Sequence, residues 1–184
     1  MEPDLNREGS FPIDQDPKNP NPQSPSDMAS SSVKDRVYSG SKGDLSPTDI
    51  QGAVRVALDY DKTFGEFKIY VRQCKNLAET DGSKGRSDPH VKTYLIPDST
   101  RLGKRKTSVR KRTVNPSFQE MLKYKIEKMA LIDQKLNLSV WHNDLLGHNI
   151  FMGEIEIDLV SWDWGNRKLN WYTLRSHIRI GQAE

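Results

Sequence analysis

Apolar and polar residues alternate with a period of two from residue 53 onward. In the segment AVRVALDY, the apolar residues Val54, Val56, Leu58 and Tyr60 alternate with Arg55, Ala57 and Asp59. This alternation is typical of a β-strand that buries one of its two faces. Seven later segments have the same character, namely EFKIYVRQCKNL, HVKTYLIP, KRKTSV, FQEMLKYKIE, KLNLSVWH, FMGEIEIDL and WYTL. The pattern predicts eight strands, with a bulge or a close backbone approach at Gly153.

Helix-like periodicity is almost absent from the same region. Only the segments EKMALIDQ and LVSWDW are predicted to form helical turns, of one turn each. Short strands joined by turn signals such as Asn115-Pro116 predict an all-β, antiparallel β-sandwich, because two sheets can each bury one face against the other.

The first 48 residues have a different composition. They contain seven of the ten prolines and many Ser, Asp and Asn residues. Such a segment cannot bury enough apolar surface to offset the loss of chain entropy on folding. We therefore predict a disordered linker at 1–48, a folded domain at 49–178 and a short tail at 179–184.

Charge is distributed unevenly along the chain. Residues 1–50 carry a net charge of −4, whereas residues 51–184 carry +7. A basic folded domain suggests an anionic partner. The single cysteine, Cys74, excludes an intrachain disulfide bond within the sequence, and no apolar run reaches the roughly 20 residues of a membrane-spanning helix. We expect a cytoplasmic protein with peripheral membrane contact.

Three ordered segments carry a family resemblance. They are SDPHVKTYLIPD at 87–98, GKRKTSVRKRTVNPSFQE at 103–120 and VWHNDLLGHNIFMGE at 140–154. Together they resemble a C2 domain of the synaptotagmin class, most like the first C2 domain of a synaptotagmin-like protein. The resemblance implies an eight-stranded sandwich of type I strand order and a role in vesicle docking and exocytosis. It also implies that a Rab GTPase would be bound only through a region that this chain does not carry.

The same resemblance implies where calcium ligands would lie. Asp81, Asp88 and Asp144 occupy three of the five acidic positions, while His142 and Ile150 occupy the other two. Calcium takes six to eight oxygen ligands, and Ile150 supplies none. We therefore expect a weak or non-functional calcium site, and no required cofactor.

The densest charge lies between Lys104 and Arg112, where six of nine residues are Lys or Arg. Alternation along a strand turns Lys104 and Lys106 outward and Thr107 inward. On the neighbouring strand, His90 and Lys92 would point to the same face. The resemblance adds an aromatic residue, Trp141, and an amide residue, Asn149. The predicted lipid-binding set is His90, Lys92, Lys104, Arg105, Lys106, Trp141 and Asn149.

These residues suit the phosphate groups of phosphoinositides, or phosphatidylserine, bound largely without calcium. Two alternatives remain open. The face could bind acidic partners of the membrane-fusion machinery, such as SNARE-type proteins, or the domain could be a weak calcium-dependent phospholipid binder. Nucleic acid is disfavoured because no aromatic residues interleave with the basic ones. An enzyme is disfavoured because the sequence has no nucleophile elbow, HExxH motif or glycine-rich phosphate loop.

Overall fold

A computed structural model describes residues 45–80 and 87–177, which form a sandwich of two four-stranded antiparallel sheets. The strands are β1 Ala53–Asp61, β2 Glu66–Lys75, β3 Pro89–Ile96, β4 Arg105–Lys106, β5 Ser117–Lys125, β6 Lys135–Asn143, β7 Asn149–Asp158 and β8 Asn170–Thr173. The first sheet has the order β5-β2-β1-β8 and the second has the order β4-β3-β6-β7. The predicted eight-stranded antiparallel sandwich is confirmed. Most of the predicted linker and all of the predicted tail lie outside the described residues.

Alternate residues of both sheets form one continuous core. On the first sheet Val54, Val56 and Leu58 are buried, as the sequence pattern indicates, and they meet the inward side chains of β3, β6 and β7. A polar contact joins the sheets inside this core. The Tyr124 hydroxyl donates to the carbonyl oxygen of Thr93 at 2.9 Å. Burial raises the pKa of Tyr124 to about 12, so the hydroxyl keeps its proton at neutral pH.

One of the two predicted helical turns is present. Helix α1 spans Lys128–Leu131, within the segment EKMALIDQ. The prediction of a helical turn near LVSWDW is wrong. That segment forms bends and non-helical turns. The Asp158 and Asp163 side chains accept hydrogen bonds from the backbone two residues further on, at Val160 and Gly165. These local bonds favour turns over helix. Among the described residues, no helix is long and apolar enough to cross a membrane.

Strand β4 is much shorter than the six residues expected from KRKTSV. Regular pairing is confined to Arg105–Lys106, opposite Thr93 and Lys92. At the next residue the Thr107 hydroxyl oxygen accepts the hydrogen bond of the Val91 N–H at 3.0 Å. A side chain therefore takes the place of a backbone acceptor, and the regular ladder ends there. Thr107 itself is buried, as predicted.

The irregularity predicted at Gly153 is confirmed. The register between β6 and β7 shifts between Val140 and Trp141, and Gly153 is the partner of Val140. Its φ angle is +129°, and an added Cβ would lie 2.8 Å from the Cβ of Leu174. Only glycine adopts this conformation without strain, and only glycine leaves room for the neighbouring chain.

We expect Gly153→Ala to lower the free energy of unfolding by about 2–4 kcal/mol, since it adds a steric clash to backbone strain. Urea denaturation followed by tryptophan fluorescence measures the loss. Gly103→Ala is the matched control, because Gly103 also has a positive φ, +79°, but an added Cβ meets nothing within 4 Å. It should lose about 1 kcal/mol from the backbone term alone. Equal losses in the two variants would contradict the steric argument.

Candidate functional site

The outward surface of the second sheet, called the outer face below, carries most of the predicted site. Lys92 of β3 pairs directly with Lys106 of β4 and, on its other side, with Ser139 of β6. Ser139 in turn pairs with Glu154 of β7. Directly paired residues project from the same side of a sheet. One row of side chains therefore crosses all four strands, with two lysines at one end and a carboxylate at the other.

Two further rows flank this one. The first contains His90, Trp141 and Phe151, which pair across β3, β6 and β7. The Trp141 and Phe151 rings meet edge to face, with their centroids 5.3 Å apart. Asn149 lies two residues before Phe151 on β7 and therefore shares its side of the sheet.

The other flanking row contains Tyr94, Asn137 and Glu156. Lys104 reaches this row, since its Nζ lies 5.9 Å from the centroid of the Tyr94 ring. The structure thus brings six of the seven predicted lipid-binding residues to one face: His90, Lys92, Lys104, Lys106, Trp141 and Asn149.

The six residues differ in how far they reach solvent. Lys104 is exposed and Lys106 is half-buried, whereas Lys92 and His90 are only 3% exposed although they point away from the core. The Lys92 Nζ lies 4.7 Å from the centroid of the Trp141 ring, an attractive cation–π distance. The Trp141 indole N–H donates to the Ser139 hydroxyl at 2.8 Å, which fixes the ring under the ammonium group.

The structure separates Arg105 from the other predicted residues. Its guanidinium group donates to the carbonyl oxygens of Lys123 and Leu102, each at 2.9 Å. It also lies 4.5 Å from the centroid of the Tyr124 ring in the first sheet. Successive residues of β4 point to opposite sides, so Arg105 is directed toward the first sheet when Lys106 is directed outward.

Arg110, at the end of the basic segment, is also held by the first sheet. Its Nη2 atom lies 3.0 Å from a carboxylate oxygen of Glu120. Ser108, which the alternation predicts to point outward, donates to the same carboxylate at 2.6 Å. Ser108 and Arg110 therefore connect this part of the chain to the first sheet. The density of Lys and Arg in the sequence overstates the number of cations on the outer face.

Two carboxylates on the outer face were not part of the predicted site. Glu154 is only 6% exposed, and its Oε1 accepts a hydrogen bond from Asn137 at 3.3 Å. The same oxygen lies 3.8 Å from Nδ1 of His177, whose ring stacks on Phe151. Burial raises the pKa of Tyr94, and the charges of Glu154 and Glu156 raise it further. In the sequence, Glu154 and Glu156 alternate with Ile155 and Ile157, and this alternation by itself predicts that both carboxylates lie on the outer face.

The candidate calcium residues do not form a cation site in the described part of the chain. The Asp88 Oδ1 accepts the backbone N–H of Arg112 at 2.7 Å. The Asp144 Oδ1 accepts the backbone N–H groups of Leu146 at 2.7 Å and His148 at 3.0 Å. Both carboxylates therefore cap loops, as Asp residues commonly do in turns.

Among the described residues, the two remaining candidates at this end of the sandwich, His142 and Ile150, add no oxygen ligand. Nδ1 of His142 accepts the backbone N–H of Asp88 at 3.0 Å, and Ile150 is buried. Asp81 lies outside the described residues. Within 45–80 and 87–177, no three His, Cys, Asp or Glu side chains are arranged to hold a metal ion. The donors described here fall short of what a calcium ion requires.

Comparison with known proteins identifies a family. A sequence model described as "C2 domain" matches residues 65–174. The chain is 46% identical to synaptotagmin-like protein 2 of Bos taurus over 182 residues, which is 95% of this chain and 19% of that protein. It is 51% identical to synaptotagmin-like protein 2 of Mus musculus over 142 residues, which is 76% of this chain and 15% of that protein. The chain therefore spans less than a fifth of the length of these relatives.

Solved structures share the fold. A C2 domain of RIM from Drosophila aligns with a TM-score of 0.62 and 24% sequence identity, covering 68% of this chain and 99% of that one. At this identity the likeness concerns the architecture of the two sheets.

We expect Arg105→Ala to lower the free energy of unfolding by about 1–3 kcal/mol, because it removes charge-assisted hydrogen bonds and a cation–π contact between the sheets. Lys104→Ala is the control, since Lys104 is an exposed neighbour, and its effect should stay within about 0.5 kcal/mol. Urea denaturation distinguishes the two. A neutral Arg105→Ala variant would show that this guanidinium group does not brace the sandwich.

Proposed function

The chain belongs to the C2 domain family, and on that premise we propose that it is a peripheral membrane-targeting module whose outer face binds acidic phospholipids, with little need for calcium. The observation that carries the proposal is the direct cross-strand pairing of Lys92 with Lys106, beside the Trp141 ring. A phosphate group placed over this pair is attracted by both ammonium groups and can pack against the indole. Phosphoinositides and phosphatidylserine both supply such groups.

The size of the attraction supports membrane binding more than binding to a free ligand. Each basic residue that reaches the surface near an anionic leaflet contributes about 1 kcal/mol, so Lys104 and Lys106 together contribute about 2 kcal/mol, whereas Lys92 is only 3% exposed. A bilayer presents many headgroups at once, which raises the effective concentration around the face. Because salt screens charges over about 8 Å at physiological ionic strength, the binding should weaken as salt rises.

Family membership also bears on the wider role. C2 domains of synaptotagmin-like proteins are non-enzymatic modules, so we assign no catalytic residue. We place the membrane contact in vesicle docking and exocytosis, on the plasma membrane or a vesicle. Binding to a Rab GTPase would belong to other parts of a longer protein.

An acidic segment of a membrane-fusion protein is the second candidate ligand. The observation in its favour is the edge-to-face pair of Trp141 and Phe151 beside the lysines. Both rings are half-buried and offer apolar contact area that a small headgroup does not need. Protein binding that survives without lipid would favour this candidate.

We expect the double variant Lys104→Gln, Lys106→Gln to bind vesicles of mixed phosphatidylcholine and acidic lipid about thirtyfold more weakly, since two charge contacts of about 1 kcal/mol each are lost. Vesicle co-sedimentation at fixed salt measures the change. Lys123→Gln, Lys125→Gln is the matched control, because it removes two exposed lysines from the first sheet. Equal weakening in both variants would mean that net charge, not the outer face, drives binding.

We expect a chelator to leave binding to the same vesicles within about twofold, because Asp88 and Asp144 already accept backbone hydrogen bonds and a calcium ion needs six to eight oxygens. Co-sedimentation in calcium or in chelator tests this. A tenfold or larger requirement for calcium would instead support the calcium-dependent alternative, with ligands supplied by the segment that contains Asp81.

A further inference from the structure

The outward surface of the first sheet carries two cations on one aromatic ring, at the end of the sandwich where β1 begins. Trp171 of β8 is 39% exposed and pairs directly with Arg55 of β1. The Nζ of Lys75 lies 4.1 Å from the centroid of the Trp171 ring, and the Cζ of Arg55 lies 5.6 Å from it. Both distances are typical of cation–π contacts. Arg55, Lys75 and Trp171 are called the Trp171 site below.

The two cations of this site lack a negative partner. Among the described residues, no carboxylate forms an ion pair with either of them. Of the acids of β1, Asp59 lies 3.7 Å from Arg167, and Asp61 lies 3.2 Å from Lys68. The Nε of Arg55 is buried and has no hydrogen-bond partner in the described part of the chain. Because an unpaired buried donor is unfavourable and neighbouring cations repel each other, an acidic ligand at this site is stabilising.

Negative charge of the required kind is present in the first residues of the same chain. Residues 1–16 contain five Asp or Glu residues and one Arg, a net charge of −4. Residues 17–44 contain three acids and four basic residues, a net charge of +1. Phe11 and Ile13 lie among the acids of the first group, so these residues also offer apolar contact area for an exposed indole. Residues 1–16 are called the N-terminal acidic segment below.

The chain enters the folded domain next to the Trp171 site. Ile50 packs against the core, and the carbonyl oxygen of Gly52 accepts the N–H of Leu174 at 3.0 Å. Leu174 follows Trp171 by three residues, a distance of about 10 Å along a strand. The 28 residues of 17–44 span about 30 Å as a flexible chain, so the N-terminal acidic segment can reach the site. A tether of this kind raises the local concentration of the segment to roughly the millimolar range.

We propose that the Trp171 site binds the N-terminal acidic segment of the same chain. Carboxylates of the segment pair with Arg55 and Lys75, while Phe11 packs on the exposed part of the indole. Because this contact lies on the first sheet, it keeps the acidic segment away from the lysines of the outer face. The inference does not rest on the lipid-binding function proposed above, since the contact uses the opposite surface of the sandwich.

Nitroxide labelling of the full chain tests this contact. Ser10→Cys places a label inside the N-terminal acidic segment. Cys74, the one cysteine of the sequence, is completely buried, and burial raises the pKa of its thiol, so it does not compete for the label. We expect the nitroxide to broaden the NMR signal of the Trp171 indole N–H. The signal of the Trp141 indole N–H, on the outer face, should remain sharp.

The double variant Arg55→Gln, Lys75→Gln should lower the equilibrium constant for docking about tenfold, because two charge contacts are lost. The matched control is Lys123→Gln, Lys125→Gln, which removes the same charge from exposed positions of β5 in the same sheet. The control should change docking by less than about twofold, since salt screens distant charges. Lys75→Gln alone alters only an exposed side chain, so it tests the site without a risk to folding, and it should lower docking about threefold.

Neutralising the segment gives the reciprocal test. Asp14→Asn, Asp16→Asn should reduce docking about tenfold, as the double variant of the site does. Asp27→Asn, Asp35→Asn removes the same charge from the connecting residues and should have little effect on the Trp171 signal.

Several outcomes would overturn the proposal. Broadening of the Trp141 signal instead of the Trp171 signal would place the segment on the outer face. Equal broadening in the double variant and in its control would exclude the Trp171 site, as would sharp signals from both indoles. Broadening that disappears on dilution would show contact between chains in place of contact within one chain. Vesicles take no part in this experiment, so each of these results leaves the lipid-binding function to its own test.

Discussion

The register of β3 is the constraint on which the site depends. Because side chains alternate along a strand, a slip of one residue against β6 would turn Lys92 into the core and Val91 out to solvent. The core prevents this, since Val91 and Leu95 are completely buried among inward residues of both sheets. The hydrogen bonds between Thr93 and Tyr124 hold β3 in the same register from the inner side. The apolar packing that stabilises the domain therefore also fixes which charges share the outer face.

The positions of most strands, and the side of the sheet on which the lysines lie, could be predicted from the sequence. Half-buried strands have a pattern with a period of two, so alternation around Val54 and Ile69 locates the strands, and the positions of lysines between apolar residues give their side of the sheet. The shortness of β4 could not be predicted in this way. It depends on the Thr107 hydroxyl replacing a backbone acceptor, and alternation carries no information about such a contact.

The charges of the site were harder to predict than its geometry. Six basic residues within nine positions suggest six equivalent cations, yet Arg105 and Arg110 are held by acceptors of the first sheet. A long arginine side chain can extend into solvent or donate to the nearest carbonyl or carboxylate group. Which of the two it does depends on chain segments that are distant in sequence. Alternation alone places Glu154 and Glu156 on the outer face. Only the cross-strand pairing shows that Glu154 shares a row with Lys92 and that Glu156 shares a row with Tyr94.

In the proposed binding mode, the location of the lysines on a sheet surface, and not on a loop at one end of the sandwich, would set the orientation of the domain on the membrane. With that surface against a bilayer, the strands of the second sheet lie roughly parallel to the membrane plane. The ten residues of β7 then extend about 33 Å along the lipid surface, since each strand residue advances about 3.3 Å. The footprint would cover several headgroups, while the loops at both ends of the sandwich remain at its sides.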